Sequence, residues 1–200
     1  MKVVLASSSP RRATLLKQIG LSFTIDPSNV DESYSDTLLP DEIVEQLASK
    51  KGIDVAARHD HSLIIAADTI VCMNNQIFGK PADVKDAKQM LLTLSGLTHE
   101  VYSGVFVALT TELGTISQSI CFSERTKVTF SSLTETEVKH YIETGSPFDK
   151  AGSYGIQDDL GSLFVKKIDG DFYNVVGFPL QAFYQNLKTE LPDIHQNLFF

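Results

Sequence analysis

The apolar positions of this chain change period several times, and each change marks an element. Residues 2–6 form a short apolar run that predicts a buried strand, ended abruptly by Ser7-Ser8-Ser9-Pro10. A serine followed by proline predicts a helix start, because the hydroxyl accepts from orphan N–H groups and proline suits the first helical position. That helix runs over residues 10–19, burying Leu15, Leu16 and Ile19, and Gly20 stops it. A second helix opens at Pro40-Asp41-Glu42 and covers 40–58, with Ile43, Val44, Leu47 and Ala48 on one face. Residues 63–67 are continuously apolar and predict a central strand that runs on through Asp68 to Cys72.

Helical spacing returns over 83–95, with Ala87, Met90, Leu91 and Leu94 inward and Gly96 after them. Residues 101–109 and 116–130 alternate or run apolar and are rich in β-branched side chains. Joined through Glu112-Leu113-Gly114, they predict a hairpin of long strands. Thr134 and Glu137 have capping-box spacing for a helix over 134–144. Residues 164–168, Gly170-Asp171 and residues 173–176 predict a last hairpin, followed by a helix from Pro179 and a peripheral tail from Pro192. There is no internal repeat, low-complexity stretch or linker. The expected fold is α/β, a mixed twisted sheet with flanking helices, in a single domain over 1–200.

Composition narrows the function classes. A chain of 200 residues suits one domain, or two lobes sharing a core. The net charge of -8 argues against a broad nucleic-acid or anionic-membrane surface, yet a local basic pocket for one small phosphorylated ligand is compatible with it. Cys72 and Cys121 are the only cysteines; with no CxxC and no histidine at ligand spacing they argue against zinc, and their apolar neighbours predict small buried thiols. No apolar run approaches the roughly 18 residues of a membrane span, and residues 3–6 are too short for a signal-peptide core. A cytoplasmic protein is expected.

Four segments carry candidate chemistry. Ser7-Ser8-Ser9-Pro10-Arg11-Arg12 joins a strand to a helix, whose N-terminus offers free N–H donors and a positive dipole end for a phosphate. Arg12 in the first turn opposes the dipole unless an anion is bound; the alternative is a plain cap followed by surface arginines. Asp68, inside an apolar strand, needs a cation or a metal to offset its desolvation, and reads either as a metal-holding, water-activating carboxylate or as a strand-end Asp capping a turn or paired to a lysine. Phe78-Gly79-Lys80-Pro81 suits a phosphate-binding lysine beside a close backbone approach, and equally an ordinary turn. The stretch Asp149-Lys150-Ala151-Gly152-Ser153-Tyr154-Gly155-Ile156-Gln157 suits a base-binding loop, with Tyr154 stacking and Gln157 reading a pyrimidine edge, or a structural loop. Asp31-Glu32 is an acidic pair, either a source of a metal ligand or a solvated turn; Lys50-Lys51 favour the dipole at a helix end; His59 and His61 read as solvated.

Together these segments resemble the Maf family of nucleoside triphosphate pyrophosphatases. The match runs in order through Leu5-Ala6-Ser7-Ser8-Ser9-Pro10-Arg11-Arg12, Asp31-Glu32, Leu47-Ala48-Ser49-Lys50-Lys51, Ala67-Asp68-Thr69, Gly79-Lys80-Pro81, Leu94-Ser95-Gly96, the 149–157 segment, and Asn174-Val175-Val176-Gly177-Phe178-Pro179. The resemblance implies two lobes around a cleft, similar to the inosine triphosphate pyrophosphatases, with a divalent metal (Mg or Mn), water attack at the α-phosphorus, and a homodimer. It assigns Asp68 as proton acceptor, Asp68 and Glu32 as metal ligands, and Ser8, Arg12, Lys51, Lys80 and Lys150 to the triphosphate. Thr69 and Gln157, with Arg12, resemble the branch acting on dTTP and UTP. Three positions depart from the family pattern: Asp158 in place of Gly, Phe172 in place of Tyr, and Phe178 in place of Leu. The rival expectation is a non-catalytic nucleotide-binding regulator of cell division. A P-loop kinase is excluded because GxxxxGK[ST] does not occur.

Overall fold

The computed structural model describes residues 1–157 and 160–200. Its strands are β1 (Lys2–Leu5), β2 (Thr24–Ile25), β3 (Ser62–Met73), β4 (Gln76–Phe78), β5 (Thr98–Thr110), β6 (Ile116–Phe130) and β7 (Val165–Asp169). They form one sheet in the order β2-β1-β3-β5-β6-β7, with β4 paired to β3. The sheet is mixed, since β1 runs parallel to β2 and β3 whereas β3–β4 and β6–β7 are antiparallel. The helices are α1 (Pro10–Gln18), α2 (Pro40–Ala56), α3 (Val84–Leu94), α4 (Glu135–Glu143), α5 (Gly161–Phe164), α6 (Phe172–Val176), α7 (Leu180–Glu190) and α8 (Pro192–Phe199). The α/β class is as expected from the sequence. Among the described residues no helix is long and apolar enough to cross a membrane.

The chain divides into two compact units, the first of Met1–Asp68, Ser103–Glu124 and Gly177–Phe200, the second of Thr69–Tyr102 and Arg125–Val176. In the first, β1 and β3 pair in register from Lys2↔Ser62 to Leu5↔Ile65. Val4, Ile64, Ala66, Phe106 and Ala108 from the strands meet Ala48, Val55 and Ala56 of α2 in one buried cluster. That contact depends on two glycines: a Cβ on Gly104 would stand 2.2 Å from the Val44 carbonyl oxygen, and one on Gly52 would stand 2.2 Å from the Phe106 ring. α1 begins as expected with proline in its first turn, but the Ser9 side chain makes no cap hydrogen bond; instead Ser7 Oγ accepts from the Ser9 N–H at 3.2 Å. After α7, the tail from Pro192 is α8, where Ile194 and His195 are buried and the His195 ring packs edge-on to Tyr184.

The second unit is built on Phe78, Leu91, Leu94, Val128, Phe130, Tyr141, Tyr154 and Phe164. Asn74 and Asn75, both at positive φ, make the two-residue turn between β3 and β4, the conformation that a tight hairpin requires. α4 carries its capping box: Thr134 Oγ1 accepts from the Glu137 N–H at 3.3 Å, and the Glu137 carboxylate accepts from the Thr134 N–H at 2.7 Å.

Three expectations are corrected here. Residues 173–176 are not a strand but part of α6, because Asp171 Oδ1 accepts the Tyr173 N–H at 2.7 Å and starts a helical turn. That turn swings Asn174 inward, where its amide donates to the Val101 carbonyl at 3.1 Å and to Thr126 Oγ1 at 3.0 Å. Cys121 is exposed, with only Cys72 buried. His59 is not merely solvated: its Nε2 lies 2.7 Å from Asp26 Oδ2, within a cluster where Arg58 also meets Asp26 and Asp54.

Candidate active site

The parallel pairing of β1 with β3 determines where the chemistry gathers. The last paired residues are Leu5 and Ile65, and the Ala6 N–H still donates to the Ile65 carbonyl at 2.8 Å. Beyond that point β1 gives way to the serine segment leading into α1, while β3 continues to Asp68. The serine segment therefore leaves the carboxyl end of β1, whereas Asp68 lies inside β3, three residues past Ile65, where β3 has run beyond its pairing with β1.

Lys51 reaches the same place from α2. It stands four residues after Leu47 and four before Val55, so helical spacing puts it on the buried face. Its ammonium donates to Asp68 Oδ1 at 2.6 Å and lies 2.9 Å from Glu32 Oε1. Lys51 and Asp68 keep only 9% and 7% of their surface, which is tolerable for charged groups because each offsets the other's lost hydration. Glu32 is exposed. The residue-level expectation that Lys50 and Lys51 serve only the helix dipole is thus corrected: both lie inside α2, Lys51 turns inward to the two carboxylates, and Lys50 donates to the Ser33 carbonyl at 2.8 Å.

Arg12 completes the cluster. Its Nε donates to the Gly177 carbonyl at 2.9 Å and one terminal nitrogen donates to Ser7 Oγ at 3.0 Å. Burial pushes the guanidinium below its ordinary value, the charges of Asp68 and Glu32 pull it up, and Arg11 lowers it. Arg12 therefore shares an electrostatic neighbourhood with both carboxylates. α1 has no acidic residue in its first turn, so arginine and helix dipole together favour an anion there. Ser8 is exposed at this helix start while Ser7 is buried. Ser7 and Gly177 were not singled out from the sequence. Ser7 sat unassigned inside its motif, and the Gly177 carbonyl, 165 positions from Arg12, leaves no local signal.

The remaining predicted residues belong to the second unit. Thr69, directly after Asp68, is half-buried, and Lys80 is exposed. The carbonyl of Gly79 accepts from the Gly152 N–H at 3.0 Å, which joins the Gly79-Lys80-Pro81 turn to the 151–157 segment. Gly152 has φ +67, and a Cβ there would press on Val71 at 2.9 Å, so the segment requires glycine. Gln157 is exposed at its end; Asp158 lies outside the described residues.

Two expectations fail in this segment. The Lys150 ammonium is buried and donates to the Ser146 carbonyl at 2.6 Å and to Asp149 Oδ1 at 2.7 Å, so it fastens the turn rather than presenting a charge to phosphate. Tyr154 is buried, its ring against Phe130 at 4.7 Å and its hydroxyl 2.8 Å from His99 Nε2, so it is a core residue and not a base-stacking platform. Desolvation holds His99 down to about 4 and pushes the Tyr154 phenol up. His99 was overlooked because a single histidine in the strand pattern Thr98-His99-Glu100 carries no distinguishing signal.

Among the described residues no three His, Cys, Asp or Glu side chains gather as a metal cage. The donor set of Asp68 and Glu32 nevertheless fits a hard divalent ion, since both already converge on one cation, the Lys51 ammonium. Mg²⁺ and Mn²⁺ bind through one or two carboxylates, with water and phosphate oxygens completing the shell.

Residues 2–190 match the family described as Maf-like protein. The chain is 48% identical over 187 residues to the dTTP/UTP pyrophosphatase of Halalkalibacterium halodurans, covering 94% of this chain and 95% of that one. It is 45% identical over 188 residues to the dTTP/UTP pyrophosphatase of Lachnoclostridium phytofermentans, covering 94% of each. Among solved structures it is similar to the Staphylococcus aureus Ham1 protein, with TM-score 0.46 and 13% identity over 66% of this chain and 72% of that one. With residues 2–190 matched by the family model and relatives 45–48% identical over 94% of its length, this chain belongs to the Maf family.

Proposed function

We propose that this chain hydrolyses nucleoside triphosphates, dTTP and UTP in particular, to the monophosphate and pyrophosphate. The observation that carries the reading is the buried Lys51–Asp68 pair, flanked by Glu32 and electrostatically coupled to Arg12 at the head of α1. The names of the relatives supply the substrate class.

In this reading Asp68 accepts a proton from a water molecule as the water oxygen bonds to the α-phosphorus. The bond from the α-phosphorus to its bridging oxygen breaks, and pyrophosphate leaves with the electron pair. Arg12 and Lys51 offset the charge that builds on the phosphoryl oxygens, and the N–H groups at the start of α1, with the Ser8 hydroxyl, add donors to the same anion. Lys80 supplies a further point charge to the phosphates. Asp68 and Glu32 would hold Mg²⁺ or Mn²⁺, which when bound supplies Lewis-acid polarisation of phosphoryl oxygens. Positive groups concentrated at one point serve an acidic protein well, because the diffuse charge of -8 is screened over roughly 8–10 Å while groups in contact are not. Base recognition falls to Gln157, exposed at the end of the 151–157 segment, with Thr69 beside the catalytic carboxylate. Both cysteines are free thiols, in keeping with a reducing cytoplasm.

A panel of nucleoside triphosphates, each supplied with Mg²⁺ or Mn²⁺, tests the reading. Pyrophosphate and monophosphate are expected in equal amounts, with dTTP and UTP the best substrates. Orthophosphate as the first product contradicts it.

A further inference from the structure

The segment ending in Gln157 owes its course to polar contacts made beneath it, within the core of the second unit. Tyr154 is fixed by a hydroxyl-to-imidazole hydrogen bond of 2.8 Å to His99 Nε2, and His99 is 1% exposed. The rings of His99, Tyr154 and Phe130 pack edge to face with centroids 4.7–5.3 Å apart. One residue on, the Gly155 N–H donates to Tyr141 Oη at 3.2 Å, and Tyr141 is itself fully buried. The second ring nitrogen of His99, Nδ1, is buried with no hydrogen-bond partner among the described residues. An apolar aromatic would fill the same space without that cost, so packing alone is a poor reason for histidine at this position. The bond to Tyr154 is what histidine adds.

We infer that His99 is a positioning residue for nucleotide recognition: through Tyr154 it holds the 151–157 segment in the course that presents Gln157 to the base. The inference rests on the reading of Gln157 as the group that contacts the base. The positioning works with a neutral imidazole, since a charged one would lie in an aromatic core with no carboxylate among the described residues bonded to it. Burial keeps His99 neutral until the pH approaches about 4.

The test compares wild-type protein with His99→Phe, Tyr154→Phe and His99→Gln, using initial rates on dTTP and dCTP with Mg²⁺ and amide hydrogen exchange at residues 151–157. Phenylalanine at 99 keeps a ring against Phe130 but leaves the Tyr154 hydroxyl unpaired, whereas glutamine offers a carboxamide to it. His99→Phe and Tyr154→Phe are each expected to raise KM for dTTP about tenfold with kcat changed less than about threefold. They should also narrow the preference for dTTP over dCTP and speed exchange in the segment, and His99→Gln should restore most of both. Unchanged KM, a loss confined to kcat, or glutamine behaving like phenylalanine overturns the inference. Should His99→Phe fail to fold, Tyr154→Phe, which removes one oxygen and keeps its ring, decides. A wild-type protein that releases no pyrophosphate from dTTP defeats the proposed function instead, and exchange in the variants then still reports whether His99 holds the segment.

Discussion

Lys51 Nζ stands 2.6 Å from Asp68 Oδ1, and the two side chains are only 11% and 10% exposed. Neither group is stable there alone, because a buried charge without its counterion keeps the whole desolvation cost. Lys51→Met is therefore expected to destabilise the protein by about 3–5 kcal/mol in urea unfolding. Adding Asp68→Asn to it should recover most of the loss, since an amide needs no counterion. Glu32→Gln, at an exposed side chain, should cost less than about 1 kcal/mol. Equal losses for the single and double variants would show that the pair is not coupled.

Asp68→Asn separates binding from chemistry. Asparagine keeps the size of the side chain but accepts no proton, so kcat is expected to fall about 10²- to 10⁴-fold. Affinity for dTTP, measured by calorimetry without added metal, should fall little, since Asp68 itself donates nothing to the triphosphate. Binding with undiminished turnover would remove Asp68 from the reaction, and binding without turnover even in the wild type would favour a regulator over an enzyme.

Arg12→Lys tests the shape of the cation rather than its charge. Lysine has one nitrogen where the guanidinium uses two, Nε to the Gly177 carbonyl at 2.9 Å and a terminal nitrogen to Ser7 Oγ at 3.0 Å, so it does not reproduce this two-point grip. KM for dTTP is expected to rise about tenfold, a loss that a conservative charge swap would not produce if arginine were only a point charge.

His99 makes stability depend on pH in a defined window. An ordinary histidine binds its proton near 6.5, whereas in the folded chain burial delays this to about 4. Between those values the unfolded chain binds more protons, so stability is complete above about pH 6.5 and is lost progressively as the pH falls towards 4. The full shift corresponds to about 3 kcal/mol. Urea midpoints measured across that window should fall more steeply for the wild type than for His99→Gln.

The sequence was most legible where a signal is local. The serine–proline start of α1 and the Thr134–Glu137 box each combine a cap residue and a helix former within a few positions, and both helices begin where expected. Asp68 stood out because a carboxylate interrupts an otherwise apolar run. Lys51 was singled out only by the resemblance, because the local reading weighed it as a lysine at a helix end. Its spacing from Leu47 and Val55, which assigns it to the buried face, was the better guide. Residues 173–176 were misread because Tyr173, Val175 and Val176 favour strands, while the Asp171 carboxylate that starts the turn outweighed that preference. The Asn74-Asn75 turn was legible and passed over. The Arg12–Gly177 and His99–Tyr154 contacts join segments 165 and 55 positions apart, and no local pattern announces them.

Hydrolysis of dTTP in water enriched in ¹⁸O tests the central claim most directly, since it identifies both the bond broken and the phosphorus attacked. Attack at the α-phosphorus predicts one ¹⁸O in thymidine monophosphate and none in the pyrophosphate released with it. Label in the pyrophosphate, or thymidine diphosphate and orthophosphate as the first products, would contradict it.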